Sequence, residues 1–370
     1  MQVQLSPAIL LAYAVIIIGF FSAGLLFFAP TNQQANRFLA ALMFSISCWL
    51  IDGLFRLANI YGQNAGLYFL PIFYSLGFGP LIYFYVRSLT DSQFNFRRRH
   101  GWHFLPVALQ AGLYIFLTLQ PYAFRNWFWQ TIHYPFTYRI EFDGTWLSLL
   151  VYVGLSLRLL QHYGRYVAEN FSETSQLTLR WLRVLLIGLV LICGQWTYEV
   201  ILRDRFDSYY NQDYSYWMLG VVVVAMGVVG LRQRNMAQVQ FQPEAGEPTP
   251  VGRPAPAVNA DYLDRVRRAM ETDKLYLNPT LTLTELAHHV GLNPKVVSQV
   301  INTGLNQSFN DFVNAYRVGE VKQRLQTNDL TRFTLLGIAL ESGFNSKTTF
   351  NRIFKEHTGQ SPSAFITAPQ

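Results

Sequence analysis

The sequence predicts an all-α protein in two parts: a seven-helix transmembrane bundle, then a cytoplasmic domain with two helix-turn-helix motifs. Three observations carry this expectation. Long apolar runs fill residues 1–234. A proline-rich stretch then separates two folding units, with five prolines between residues 242 and 258. Beyond it, one pattern of caps, glycines and apolar spacing occurs twice.

Composition sets the frame. A chain of 370 residues exceeds one ordinary domain. It is 51% hydrophobic and only 14% charged, whereas soluble domains carry about 25% charged residues. The deficit is local, because the first of the five lysines is Lys274. The net charge of +7 is also local. Residues 1–234 hold 16 arginines and 10 acids, and residues 258–370 hold 12 basic and 10 acidic residues. Basicity alone is therefore poor evidence for a nucleic-acid partner. Cys48 and Cys193 sit inside apolar runs and read as buried thiols, not as a disulfide or metal site.

The apolar runs are Ala8–Phe28, Phe38–Leu57, Leu67–Leu89, Trp102–Leu119, Trp146–Tyr163, Leu182–Leu202 and Tyr214–Leu231. Each fits the roughly 17–25 helical residues that cross a bilayer. The first and last carry no charge, so neither has the polar stripe of a soluble core helix. The fourth and fifth are less apolar, with His103, Pro106, Arg158 and His162. The first run lacks a basic flank and is too long for a signal peptide, so it reads as a retained span. Arginine sets the orientation. With the N-terminus outside, the inner side holds eleven arginines, including Arg97-Arg98-Arg99, Arg232 and Arg234, and the outer side five. That delivers the chain from residue 235 onward to the cytoplasm of a bacterium, below its inner membrane. Aromatic residues from Tyr122 to Tyr138 read as an interfacial belt on the outer side.

The segment from Gln242 to Val258 is a semi-extended linker by composition. After it, Thr282 and Glu285 form a capping box. Leu283, Leu286, Ala287 and Val290 follow at helical spacing, Gly291 ends the helix, and Asn293-Pro294 starts the next. Val297, Val300 and Ile301 give that helix its inner face. Two short helices with a tight glycine turn make a helix-turn-helix. The pattern returns at Leu335, Ile338, Ala339, Gly343, Phe350, Ile353 and Phe354. Between the two, Ser308–Leu325 reads as one helix, with Phe309, Phe312, Val313 and Tyr316 on its buried face. Such a helix can hold two recognition helices in successive major grooves, about 34 Å apart.

These residues resemble the arabinose-regulator (AraC/XylS) family. GFNSKTTFNRIFKEHTGQSPSAF, Gly343–Phe365, is similar to its C-terminal signature, and FNDFVNAYRVGEVKQRL, Phe309–Leu325, to its linker helix. The resemblance covers about Tyr262 to Phe365 and implies sequence-specific binding of double-stranded DNA. The apolar half resembles, in hydropathy and architecture only, the seven-span regions attached to some bacterial members. The first recognition helix departs from the family pattern at Gln299, where arginine is frequent, and Val321 replaces a usual alanine. Gly319 lies mid-helix, where glycine is about 1 kcal/mol less favourable than alanine.

By position in the motif, the groove-facing residues are Lys295, Ser298, Gln299 and Asn302 in the first recognition helix. In the second they are Lys347, Thr348, Thr349, Asn351, Arg352 and Lys355. Arginine pairs with guanine, and glutamine or asparagine with adenine. For Lys347 and Lys355, phosphate contact or a solvated face is the weightier reading. No cofactor is expected, nor a metal: the adjacent His288 and His289 point in different directions on a helix. No zinc-protease, phosphate-loop or nucleophile-elbow motif is present, which argues against an enzyme. The remaining rival is a membrane receptor or transporter whose tail binds a protein.

Two polar pairs interrupt the spans, Asp52 with Arg56 and Glu199 with Arg203. Charges in spans usually face a partner or a wet cavity. Two readings stand side by side. Each pair is a local i,i+4 salt bridge with snorkelling arginine, or the four residues line an outward-open ligand pocket beside Trp196 and Gly77-Phe78-Gly79-Pro80. The signal ligand is unspecified by the sequence, and a homodimer is compatible with it.

Overall fold

A computed structural model describes residues 6–91, 93–174, 177, 179–206, 214–233, 259–327 and 329–367. The described residues are helical, with no strand and one isolated antiparallel bridge. The chain divides into two compact units: Met1–Gln161 with Leu179–Pro243, and His162–Thr178 with Glu244–Gln370. The proline-rich linker at 242–258, Arg234 and the side chain of Arg203 lie outside the described residues.

The first unit opens with α1 (Pro7–Phe27), started by Ser6, whose hydroxyl accepts the N–H of Ile9. Next come α2 (Gln33–Leu57) and the single turn α3 (Ile60–Gln63). The bundle continues through α4 (Phe78–Thr90), α5 (Leu105–Thr118), α6 (Tyr122–Phe128), α7 (Tyr138–Asn170), α8 (Arg180–Phe206) and α9 (Tyr214–Arg232). Helix α2 is the hub and packs against α1, α4 and α9. Its Leu39, Leu42, Met43 and Leu50 are all but fully buried. Close approach depends on small residues: a side chain at Gly19 would strike the Ser47 hydroxyl at 2.1 Å, and one at Gly53 would enter the Tyr216 ring. Small residues at helix crossings are what packing between membrane helices favours. Meanwhile Leu10, Leu11, Ile17, Phe21 and Leu25 of α1 stay exposed, an apolar outward face suited to lipid.

Four described helical stretches are long and apolar enough to cross a membrane: Pro7–Phe27, Gln33–Leu57, Tyr122–Asn170 and Arg180–Leu202. Tyr216–Arg232 is apolar but shorter. The third and fourth expected spans differ most from their apolar runs. In Leu67–Leu89 only Phe78–Thr90 is α-helical, preceded by 3-10 turns at Ala65–Phe69 and Ser75–Gly77. Pro71 is the cause, since the residue before a proline is pushed out of the α region, and Leu70 is extended at ψ 143°. In Trp102–Leu119, a 3-10 segment at Arg98–Phe104 precedes the 14-residue α5. The aromatic stretch, by contrast, is helical: α6 runs through a π-helical segment at Trp129–Thr137, which absorbs Pro135, into α7.

The second unit carries α10 (Ala260–Glu271), α11 (Leu283–His289), α12 (Pro294–Gln299), α13 (Phe309–Gln326), α14 (Leu335–Glu341), α15 (Lys347–Thr358) and α16 (Pro362–Thr367). It has two hydrophobic cores. The first joins Val266, Met270, Leu286, Ala287, Val297 and Ile301 to Phe309, Phe312 and Val313 of α13. The second joins Ile338, Ala339, Phe350, Ile353 and Phe354 to Val318 and Val321 of the same helix. One helix therefore supplies both cores, its N-terminal half to one and its C-terminal half to the other.

Candidate nucleic-acid interface and ligand site

Each helix-turn-helix is built by local chemistry. In the first, the Thr282 hydroxyl accepts the Glu285 N–H at 3.2 Å, and the Glu285 carboxylate accepts the Thr282 N–H at 2.8 Å. Gly291 takes φ +69°, the left-handed turn that glycine tolerates. Asn293 then caps α12 by accepting the Lys295 N–H at 2.9 Å. The second motif uses Thr334 as the cap of α14, Gly343 at φ +92° in the turn, and Ser346 as the cap of α15. Arg324 of α13 ties the second motif down, reaching Asp329 at 2.8 Å and Glu341 at 2.7 Å.

On the first recognition helix, Lys295 and Gln299 are exposed, and Ser298 and Asn302 half-buried. Asn302 Nδ2 donates to Ser298 Oγ at 3.2 Å. On the second, Lys347, Thr348, Asn351 and Lys355 are exposed and Arg352 is half-buried. Spaced at i, i+1, i+4, i+5 and i+8, these five share one face, opposite Phe350, Ile353 and Phe354. Arg352 is held by Glu356 through two bonds from Nη1, at 2.9 and 2.7 Å. Thr349 departs from the expected face. It is 5% exposed, and its hydroxyl accepts from Ser346 Oγ at 3.0 Å. The cap turns it inward, because its own N–H is what Ser346 accepts.

Residues 265–368 match the family model described as a helix-turn-helix domain. They form an AraC-type helix-turn-helix domain. Among similar proteins, an uncharacterized HTH-type transcriptional regulator of Staphylococcus aureus (strain COL) is 31% identical over 102 residues, which is 28% of this chain and 13% of that protein. A second such regulator, from strain MSSA476, gives the same identity and coverage. Regulatory protein PocR of Salmonella typhimurium is 22% identical over 183 residues, 49% of this chain and 58% of PocR. The chain thus spans about an eighth of the length of the staphylococcal relatives. No solved structure matches it.

The sequence did not single out the polar centre of this AraC-type domain. Arg317 of α13 is 1% exposed and lies between the residues that feed the two cores. Burial pushes its guanidinium down to about 10, against the opposing pull of the Glu173 carboxylate, so it is charged at neutral pH. Asn310 and Asn314 are buried on the same helix, and the spacing 310, 314, 317 was a legible polar stripe inside an apolar face.

In the first unit, Asp52 is 5% exposed, ion-paired with Arg56 and hydrogen-bonded by Tyr61 at 2.7 Å. Glu199 accepts from Gln195 at 3.2 Å. Trp196 is buried, packs edge-on to Phe142 at 5.0 Å and lies 5.9 Å from Trp49 of α2, and its indole N–H has no hydrogen-bond partner among the described residues. Gly79 serves packing instead, since a side chain there would meet Ser148 and Tyr152 of α7 at 2.7 Å. A polar chain that no sequence motif marks joins α5 and α7 through the 3-10 turn at Ser75–Gly77. Tyr114 donates to Glu141 at 3.0 Å, and Gln110 Nε2 to Ser75 at 3.4 Å, which pairs with Thr145 at 2.8 Å. Buried polar groups spread over several helices carry no sequence periodicity of their own.

Proposed function

We propose that the chain is a membrane-bound, sequence-specific transcription regulator that binds double-stranded DNA through both helix-turn-helix motifs and takes its signal through the membrane half. One observation carries the reading: two motifs built on one shared helix, α13, follow helices long and apolar enough to cross a membrane. A rigid helix that fixes the separation of two recognition helices has a mechanical purpose on DNA. In this reading seven spans anchor the chain in a bacterial inner membrane, N-terminus outside and residues 259–370 in the cytoplasm. Lys295, Ser298, Gln299, Asn302, Lys347, Thr348, Asn351, Arg352 and Lys355 then face the DNA.

The sensor is assigned to Asp52, Arg56, Trp196, Glu199 and Arg203. The support is the buried indole N–H of Trp196, which has no partner among the described residues, a donor that a ligand acceptor would satisfy. A ligand that binds two packings of the bundle unequally shifts their populations, and pairing of two chains in the membrane would bring two DNA-binding domains together. The deciding experiment reconstitutes the intact chain in lipid nanodiscs and presents promoter fragments from a genome-wide binding map. Retention of those fragments over scrambled DNA is the expected result. Capture of a protein partner with no DNA retention overturns the reading and leaves a receptor with a protein-binding tail.

A further inference from the structure

The second unit contains a short piece of chain far from it in sequence. Residues 162–178, which include the end of α7 and the segment after it, belong with the DNA-binding domain. Phe171 and Ser172 make the connection. The Ser172 N–H donates to the Leu281 carbonyl at 3.1 Å, and Phe171 pairs with Thr282 in the isolated antiparallel bridge. Asn310 Nδ2 donates to the carbonyls of both Phe171, at 3.2 Å, and Ser172, at 2.7 Å. Ser172 is 1% exposed.

Arg317 explains why this seat is specific. A guanidinium has five N–H donors. Its Nε donates to the Tyr276 carbonyl at 2.9 Å. Nη1 donates to Asn314 Oδ1 at 3.3 Å and to the Ser172 carbonyl at 3.5 Å. Nη2 donates to the Asn278 carbonyl at 2.7 Å and to the Ser172 hydroxyl at 3.2 Å. Each donor direction of this buried cation thus has an acceptor, and Ser172 supplies two of the five. Removing Ser172 would leave charged donors unsatisfied in a buried place, which is costly.

The place matters as much as the chemistry. Tyr276 belongs to the first core. Gly343, the turn glycine of the second motif, lies so close that a side chain there would sit 2.2 Å from the Tyr276 carbonyl and 3.0 Å from Arg317 Nε. Arg317 is therefore the joint between the two helix-turn-helix motifs. The segment seated on it follows directly after α7, which ends a stretch long and apolar enough to cross a membrane. Its partners Leu281, Asn310 and Arg317 are not among the groove-facing residues, so seating and DNA binding are compatible.

We infer that Phe171–Ser172 is a latch that seats on Asn310 and Arg317 and sets the relative placement of the two recognition helices, so that a movement of α7 is read out as a change in operator affinity. The latch is a hydrogen-bonded route from α7 to the DNA-binding domain, separate from the covalent one through residues 242–258. Its seating is independent of any DNA, and only its effect on affinity rests on the regulator reading.

Hydrogen exchange on the full chain in nanodiscs, read by mass spectrometry, tests it. In the wild type the Ser172 amide exchanges slowly. In Asn310→Ala it exchanges at least about tenfold faster, while the amides of α11 and α14 keep their protection. Ser172→Ala, which removes only the hydroxyl that Arg317 reaches, gives an intermediate rate and guards against misfolding of the first variant. Operator affinity of either variant shifts by about fivefold or more, the lower end of usual coupling between sites. Exchange of the wild-type Ser172 amide at the rate of a free peptide overturns the latch. So does an unlatched variant whose operator affinity stays within twofold of wild type. Absence of operator binding in all forms, with the wild-type amide protected, overturns the regulator reading and leaves the seating intact.

Discussion

Gly319 and Gly343 are both glycines of the DNA-binding domain, and their neighbourhoods are opposite. Gly319 is exposed in the middle of α13, and a side chain there would meet nothing within 4 Å. Alanine at that position relieves the backbone entropy glycine loses in a helix. Gly319→Ala is expected to raise stability by about 1 kcal/mol, read as a higher urea midpoint at unchanged slope. Gly343 has φ +92°, and its added carbon would strike the Tyr276 carbonyl. Gly343→Ala is expected to destabilise by more than about 1 kcal/mol, and a midpoint equal to wild type would contradict the packing described. The proposed recognition residues are ranked by charge and by what holds them. Arg352 is pre-ordered by Glu356, and on DNA it can trade that carboxylate for the paired acceptors of guanine. Arg352→Ala should weaken operator binding by about 1–3 kcal/mol, and Gln299→Ala by less, measured by fluorescence anisotropy at one salt concentration. The reverse order would assign readout to the first motif.

At the scale of elements, what could be read in advance was what local chemistry determines. Thr282 with Glu285, Asn293, Gly291 and Gly343 are each sufficient, within a few residues, to start or end a helix, and the helices stand where those residues put them. The helix expected over Ser308–Leu325 is α13, shifted by one residue. The apolar half was less legible because apolarity counts residues and says nothing about backbone angles. Leu67–Leu89 is apolar enough to span, yet Pro71 breaks it and leaves the 13-residue α4, while the aromatic stretch continues as helix into α7. The seat of Ser172 was invisible for another reason: its partners lie over a hundred residues away, and no local pattern records a long-range pairing. The short α4 and α5 give the topology a sharp test. With the N-terminus outside as proposed, Arg97–Arg99 would face the cytoplasm if both cross and the outside if neither does, and the chain after Arg234 would be cytoplasmic in both cases. Alkaline-phosphatase fusions, active only when exported, are expected to be inactive at Arg99, active within 126–142 and inactive after Arg234. Activity at Arg99 would reduce the bundle to five spans.

For the whole molecule, the distribution of charge and of folding units makes one expectation about affinity. Residues 259–370 carry 12 basic and 10 acidic side chains, a net charge of only +2. Attraction to phosphate and the counterion release that follows it scale with the number of neutralised phosphates, so a domain this close to neutral gains little nonspecific affinity. The detached domain also lacks Ser172 and so lacks two acceptors of Arg317, which loosens the joint between its motifs. In the proposed reading, membrane anchoring would offset both deficits, since holding domains at a surface raises the effective concentration of a second copy and can multiply avidity by about 10²–10⁴. The fragment 259–370 is therefore expected to bind an operator much more weakly than the intact chain in nanodiscs at matched salt. Fusing the fragment to a dimerising coiled coil should recover part of the difference, and adding residues 162–178 on a flexible tether should recover more. Equal affinity of the bare fragment and the intact chain would mean that neither pairing nor the Ser172 seat contributes to operator binding.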